Sequence, residues 1–400
     1  MSYPHASALL VVVLTTVFTG EPAKADPAER RFTGPWNLET LKQAPQATWG
    51  AESGLVREVY YEGESLRGKP TRVFAYYGKP KGEGPFPAMV LVHGGGGKAF
   101  REWAQLWAER GYAALAMDLA GHGPEGPRLD DGGPEQDDQG KFQDFADSEV
   151  GQMWTYHAVA AVIRGHSLLA ARPEVDAKRI GITGISWGGY LTCIVAGLDD
   201  RLKVAVPVYG CGSLSDNSAW LGHFKAMTPT HRDRWLAHFD PSKYLGGVHC
   251  PILFVNGTND FAYPLDSYQK SYRQVPGPVD LCVTVRMPHG HSQGWTPREI
   301  GLFVDSILEG GKPLARLGEP VVANGLAVTE IESQTPLVKA ELAYTTDQCE
   351  WPKREWKTIE ATLSPGKASV KLPENRPLVF FLTVKDDRGA VTSSPHGELK

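Results

Sequence analysis

Ile180-Gly181-Ile182-Thr183-Gly184-Ile185-Ser186-Trp187-Gly188-Gly189 is the stretch that decides the fold. An apolar, β-branched run leads into Gly-x-Ser-x-Gly, and the residues from Gly188 to Gly197 read as a helix. A strand that turns sharply into a helix strains the backbone of the serine between them and lifts its hydroxyl above the sheet. Glycines two before and two after Ser186 let strand and helix pass close together. The helix start then lies beneath any negative charge that develops on a carbonyl oxygen attacked by the serine. Ser186 is therefore the candidate nucleophile.

The same alternation continues outward. Residues 88–92 are a continuous apolar run, the mark of a strand covered on both faces, and a helix follows over 101–110. Strands are expected at 113–117, 204–209, 252–256 and 281–287, and helices at 147–171 and 297–308. Strands alternating with helices over this length imply a doubly wound, mostly parallel sheet, whose sites lie outside the carboxyl ends of its strands. Upstream, 56–62 and 71–77 read as a hairpin or edge pair. Two long segments interrupt the pattern. Residues 120–145 are rich in Asp, Gly and Pro, and 211–249 carry Trp220, Phe224, Trp235 and Phe239, expected as a lid or substrate wall. Beyond Gly311, strands at 337–344, 358–363, 367–372 and 379–385 suggest a small all-β sandwich of immunoglobulin-like type. The expected organisation is a leader over 1–25, a catalytic domain over 26–310 and the sandwich over 311–400.

Each remaining motif falls at a strand's carboxyl end. His93-Gly94-Gly95-Gly96-Gly97 follows the strand at 88–92 and brings a backbone N–H towards a substrate carbonyl. Gly95 is the expected donor, with Gly96 in reserve, beside the N–H of Trp187. The loop lacks the Lys-Ser/Thr ending of a phosphate-binding loop, since Lys98 precedes Ala99. Asp260 sits after the strand at 252–256 and is the expected triad acid, with Asp266 as a lesser candidate. Pro288-His289-Gly290-His291 offers two imidazoles; His291 is preferred as the base because a flexible glycine precedes it, and His289 would be its structural neighbour. The order Ser186, Asp260, His291 suits a triad in which the acid orients the base. No metal is expected: no His-Glu-x-x-His pattern occurs, and the acidic run 130–138 does not match a calcium loop.

These residues resemble the dienelactone hydrolase, acetyl xylan esterase and prolyl-oligopeptidase-like branches of the α/β-hydrolase superfamily. The resemblance rests on Val92-His93-Gly94-Gly95, on Pro173 to Ser186 with Val175-Asp176 and Arg179-Ile180-Gly181, on Asn256-Gly257-Thr258-Asn259-Asp260 with Pro264, and on Gly290-His291. It spans residues 55–309 and implies an ester or peptide hydrolase that needs no cofactor. The closing motif departs from the pattern in its extra histidine, His289, and in having no aromatic residue close behind His291.

Composition bounds the partners. The chain has 400 residues and a net charge of −5, which gives no reason to expect nucleic acid. Residues 8–18 are an apolar run, and Ala23-Lys24-Ala25 offers a cleavage site, so export to the periplasm or beyond is expected, with no membrane span in the mature chain. Five cysteines leave at least one thiol unpaired, and most are expected as small buried apolar residues. An exported hydrolase with aromatic side chains beside its site suggests a small ester or acylated polysaccharide as substrate, with Trp220 and Trp235 either stacking on sugar rings or packed as the core of the lid. An exported serine peptidase is the alternative, and a non-catalytic binding protein on the same scaffold the third. The C-terminal sandwich could hold a polysaccharide or brace the lid.

Overall fold

The computed structural model describes residues 32–124 and 126–400, so the expected leader at 1–25 lies outside the described residues. The core is a nine-stranded sheet with β1 (Ala47–Ser53), β2 (Val56–Glu62), β3 (Arg72–Gly78), β4 (Phe86–Val92), β5 (Ala113–Met117), β6 (Val175–Ile185), β7 (Val204–Val208), β8 (Ile252–Gly257) and β9 (Val279–Thr284). Their spatial order is β1-β2-β3-β5-β4-β6-β7-β8-β9. β1, β2 and β3 run antiparallel, and β3 pairs antiparallel with β5; every pair from β5 to β9 is parallel. β4 to β9 are buried over most of their length because helices cover both faces. Arg101–Glu109 and Arg298–Leu308 lie on one face, tied by an ion pair between Arg110 and Asp305. Trp154–Ala170 and Trp187–Leu198 lie on the other.

The chain winds from β4 to β5 on one side and returns to β6 on the other. The order therefore reverses between β4 and β6, and the crevice beyond their carboxyl ends is where such a sheet places its site. His93 and Ser186 are the residues that leave those two strands.

Several elements differ from expectation. The helix expected over 147–171 is two pieces, a 3-10 turn at Asp147–Gln152 and the α-helix Trp154–Ala170, separated by Met153 in extended backbone. The Glu149 carboxylate accepts from the N–H of Ala146, which closes the first turn on itself, and Gly151 weakens any continuation. The strand expected at 281–287 ends at Thr284, two residues before Arg286 takes a φ of 56°. Residues 211–249 form helices at Leu221–Ala226 and Pro229–Phe239 followed by two 3-10 turns.

The C-terminal residues form two antiparallel sheets. One holds Arg316–Leu317, Leu326–Glu332, Lys367–Lys371 and Thr362–Ser364, with Val321–Ala323 also on Leu326–Glu332. The other holds Lys357–Glu360, Leu337–Thr345, Leu378–Asp386 and Val391–Ser393, with Gly397–Leu399 on Leu378–Asp386. The segment expected as one strand at 358–363 thus crosses from one sheet to the other at the buried Ala361. Ala327, Ile331 and Val370 meet Leu342, Phe380 and Leu382 between the sheets. On the alternate positions Val379 and Phe381, with Trp351 and Trp356, pack against Leu265 and Val283 of the catalytic region. Leu378–Asp386 is apolar on both faces for that reason. Among the described residues no helix is long and apolar enough to cross a membrane.

The tightest point of the fold is the turn after β6. A Cβ on Gly188 would lie 2.0 Å from the Val92 carbonyl oxygen, and one on Gly184 would lie 2.1 Å from the Gly188 carbonyl oxygen. Both obstacles are backbone, so neither can move aside cheaply. Gly188→Ala is expected to lower the unfolding free energy by at least ~3 kcal/mol, the upper range for overpacking a core, as read by urea denaturation.

Candidate active site

Ser186 stands between β6 and the helix Trp187–Leu198 with φ 59° and ψ −117°, a conformation that L residues rarely adopt. Its N–H donates to the Val208 carbonyl at 2.8 Å, which holds the turn to the next strand. Ser186 thus stands at the carboxyl end of β6, where it lines a cavity.

The glycine loop after β4 packs directly on this turn. A Cβ on Gly94 would come within 2.6 Å of the Ile185 carbonyl oxygen and 2.9 Å of the Ser186 Cβ. His93 is buried; its Nε2 accepts from the N–H of Leu119 at 2.8 Å and its Nδ1 lies 2.7 Å from the Gly94 carbonyl oxygen, so it anchors the loop. Burial lowers its pKa, which keeps the ring neutral as this acceptor role requires. The Gly94 N–H is taken up by His291 Nε2 at 3.0 Å. Gly95 and Gly96 line the cavity together with Trp187, whose N–H belongs to the first turn of its helix and has no intrahelical partner.

The structure places the acid against the other histidine. Asp260 is buried, and its Oδ2 lies 2.6 Å from Nδ1 of His289. Its Oδ1 accepts from the N–H groups of Ala262 and Tyr263 at 2.9 and 2.8 Å. An imidazole that donates a hydrogen bond from its Nδ1–H to a carboxylate keeps its Nε2 lone pair for another group. His289 is further fixed by stacking on Tyr209, with ring centroids 4.4 Å apart, and by Phe261 at 4.8 Å. Tyr209 follows β7 with a φ of 61°, and its hydroxyl donates to the Pro288 carbonyl at 2.7 Å. His291, expected as the base, has no carboxylate beside it in this arrangement, and its Nε2 is spent on the Gly94 N–H. Burial, reinforced by His93 and His289, lowers its pKa to about 4. It serves the glycine loop as a neutral acceptor. Asp266, the lesser acid candidate, instead accepts from the Asn217 amide.

Ser186, His289, His291, Gly95, Gly96 and Trp187 line one cavity of about 440 Å³, a volume suited to a small ligand. Trp220 forms part of its wall, packed 4.4 Å from the Trp187 ring. Trp235, expected beside it, is fully buried among Phe142, Phe224 and Phe239, and its indole N–H donates to the Lys141 carbonyl at 2.8 Å. It builds the wall from behind and does not reach the cavity. Gln136, Asp138 and Lys141, from the segment expected only as an irregular loop, line the cavity as well. Tyr209 and these three residues carry no motif that a single sequence could reveal.

The acid loop is also held from the C-terminal sheets. The side-chain amide of Asn259, next to Asp260, donates to the carbonyls of Pro352 and Arg354 at 3.0 and 2.7 Å. Among the described residues, no group of three or more His, Cys, Asp or Glu is placed to hold a metal ion. In the acidic run, Asp131 pairs with Arg72 and Asp138 with Lys141. All five cysteines are unpaired; Cys193, Cys211 and Cys282 are buried, Cys250 is half-buried and Cys349 is exposed.

Comparison with known proteins bears on the fold and on the class of reaction. Residues 44–218 match the family model for acetyl xylan esterase. The chain is 30% identical to the putative hydrolase YtaP of Bacillus subtilis over 249 residues, 54% of this chain and 77% of that one. It is 25% identical over 248 residues to the acetyl esterase Axe7A of Xylanibacter ruminicola, 57% of this chain and 53% of the relative, so it spans about half of that relative's length. In fold it is similar to the acetyl xylan esterase from Paenibacillus sp. R4, with a TM-score of 0.55 at 23% identity, covering 68% of this chain and 92% of that one. The fold and the strained serine define an α/β-hydrolase. The chain belongs to the branch of that family that includes acetyl xylan esterases and dienelactone hydrolases, a family of serine-type hydrolases.

The depressed pKa of His291 sets a pH dependence of stability. The folded protein favours the neutral ring, so this contribution is complete above the ordinary value of 6.5 and is lost as the pH falls towards about 4, where the unfolded chain takes up the proton first. His291→Gln is expected to flatten the decline in unfolding free energy between those two pH values, measured by denaturant titration at several pH values.

Proposed function

We propose that the protein is an exported carboxylic-ester hydrolase that removes short acyl groups from carbohydrate, working through Ser186, His289 and Asp260. The observation that carries the reading is the 2.6 Å contact between Asp260 and His289 at the cavity that Ser186 lines. Ser186 Oγ attacks the ester carbonyl while His289 Nε2 takes its proton. The N–H groups of Gly95 and Trp187 receive the negative charge that forms on the carbonyl oxygen. Collapse of the tetrahedral intermediate breaks the bond to the alcohol, which leaves with the proton from His289. Water then attacks the acyl-serine, giving its proton to His289, and the freed acid leaves Ser186 restored. Asp260 holds the imidazole in the required tautomer and stabilises its charged form.

The acyl-carbohydrate part of the reading draws support from the acetyl xylan esterase family model and from the esterase relative. The export part rests on the apolar run at 8–18 and the small residues at Ala23 and Ala25.

Two measurements test the assignment. Wild-type protein is expected to hydrolyse p-nitrophenyl acetate and acetylated xylan, and Ser186→Ala to lose at least about 10⁴-fold in kcat. His289→Ala is expected to lose a similar factor, whereas His291→Gln, which disturbs only the glycine loop, should lose less than about 10²-fold. A larger loss at His291 than at His289 would return the base to His291, and cleavage of a proline p-nitroanilide without ester cleavage would make the protein a peptidase.

A further inference from the structure

The wall of the cavity opposite the histidines carries polar groups that the acyl-transfer steps do not use. Gln136 lines the cavity, and both its amide nitrogen and its amide oxygen are shielded from solvent without a hydrogen-bond partner. An amide offers two donors and an acceptor with two lone pairs, so a rotation that turns it into the cavity equips the side chain to take hydroxyl groups that both give and receive hydrogen bonds. Lys141 stands beside it on the short helix Asp138–Phe142, almost wholly buried at 3% exposure. Its ammonium pairs with Asp138 at 2.8 Å and lies 4.4 Å over the ring of Trp187. The ion pair engages one of the ammonium's three donors. Trp220 completes the enclosure with an indole face.

Charge and polarity together select the ligand. Lys141 and Asp138 cancel, so an anionic group would meet a carboxylate as closely as an ammonium. A plain hydrocarbon would leave the Gln136 amide buried and unpaired. A neutral ring with adjacent hydroxyls satisfies both the amide and the ammonium–carboxylate pair, and its apolar face can lie on an indole.

We propose that Gln136, Asp138 and Lys141 form the subsite for the alcohol part of the substrate, holding adjacent hydroxyls of a neutral sugar against Trp220. This deepens the esterase reading and rests on it for the word substrate, but the subsite itself can be tested as a binding site. The segment 120–145, acidic and irregular in sequence, would then set substrate choice while the strands of the sheet supply the chemistry.

The test has two arms. In the first, kcat/KM is measured for partially acetylated xylobiose, which keeps free hydroxyls, and for p-nitrophenyl acetate, which has none. The ratio of the two is expected to fall at least about tenfold in Gln136→Leu and in Lys141→Met, since a site built for a hydroxyl discriminates strongly when its partner is lost. In the second arm xylobiose itself is titrated into Ser186→Ala by calorimetry, and Gln136→Leu in that background is expected to weaken binding at least about fivefold. The second arm reads the subsite even if the wild type cleaves no ester, so loss of the esterase reading and loss of the subsite are separate results. Gln136→Leu lies on the cavity wall and keeps the test open if Lys141→Met, with its buried side chain, fails to fold. An unchanged ratio, unchanged xylobiose binding, or tighter binding of glucuronate than of xylobiose would overturn the proposal.

Discussion

Everything in this molecule depends on the approach of Gly188 to the end of β4. With no room for a Cβ between it and the Val92 carbonyl, the helix after Ser186 rests directly on the neighbouring strand. That contact sets the strain at Ser186 and brings the glycine loop against the serine. A bulkier residue at Gly188 or at Gly94 would push the glycine loop away from the turn at Ser186. The neutral His291, seated where a Cβ on Gly97 would lie only 2.7 Å from its Nε2, pins the other side of the loop. Two close contacts, one of backbone on backbone and one of imidazole on amide, thus shape the cavity roof.

Several of the residues that meet at the cavity were legible because each carries its own local signature. Ser186 is marked by its two flanking glycines, the loop that packs on it by a glycine run after an apolar strand, and Asp260 by its place after β8. The histidine that Asp260 contacts was not legible in the same way. His289 and His291 are two residues apart on either side of Gly290, which is in extended backbone, and both end up at the cavity. Only the position of the Asp260 carboxylate separates them, and that is set by the pairing of β8 with β9, a fact of tertiary structure. Trp235 shows the converse. An aromatic residue near a site reads as a ligand platform in sequence, yet packing drew it wholly inside the wall, where its N–H finds the Lys141 carbonyl.

The C-terminal sheets show the limits of pattern in another way. Leu378–Asp386 reads as one apolar strand, but nothing in the sequence says that its two faces serve different partners. One face fills the space between the two sheets; the other, with Trp351 and Trp356, caps Leu265 and Val283. Likewise the break at Ala361 is invisible in a run of strand-forming residues, because changing sheets needs only one small residue at the crossing.

The Asn259 amide joins these two halves at a sensitive place. Its hydrogen bonds to Pro352 and Arg354 end one residue short of Asp260. The peptide that carries the carboxylate therefore cannot open without releasing the turn at Trp351–Lys353, and that turn cannot detach without freeing the peptide. Slow-exchanging amides near Asp260 and those around the Trp351 turn should belong to a single opening unit, whose free energy is shared although the two stretches stand some ninety positions apart in the chain. The C-terminal sheets in this way lend their own rigidity to a carboxylate they never touch.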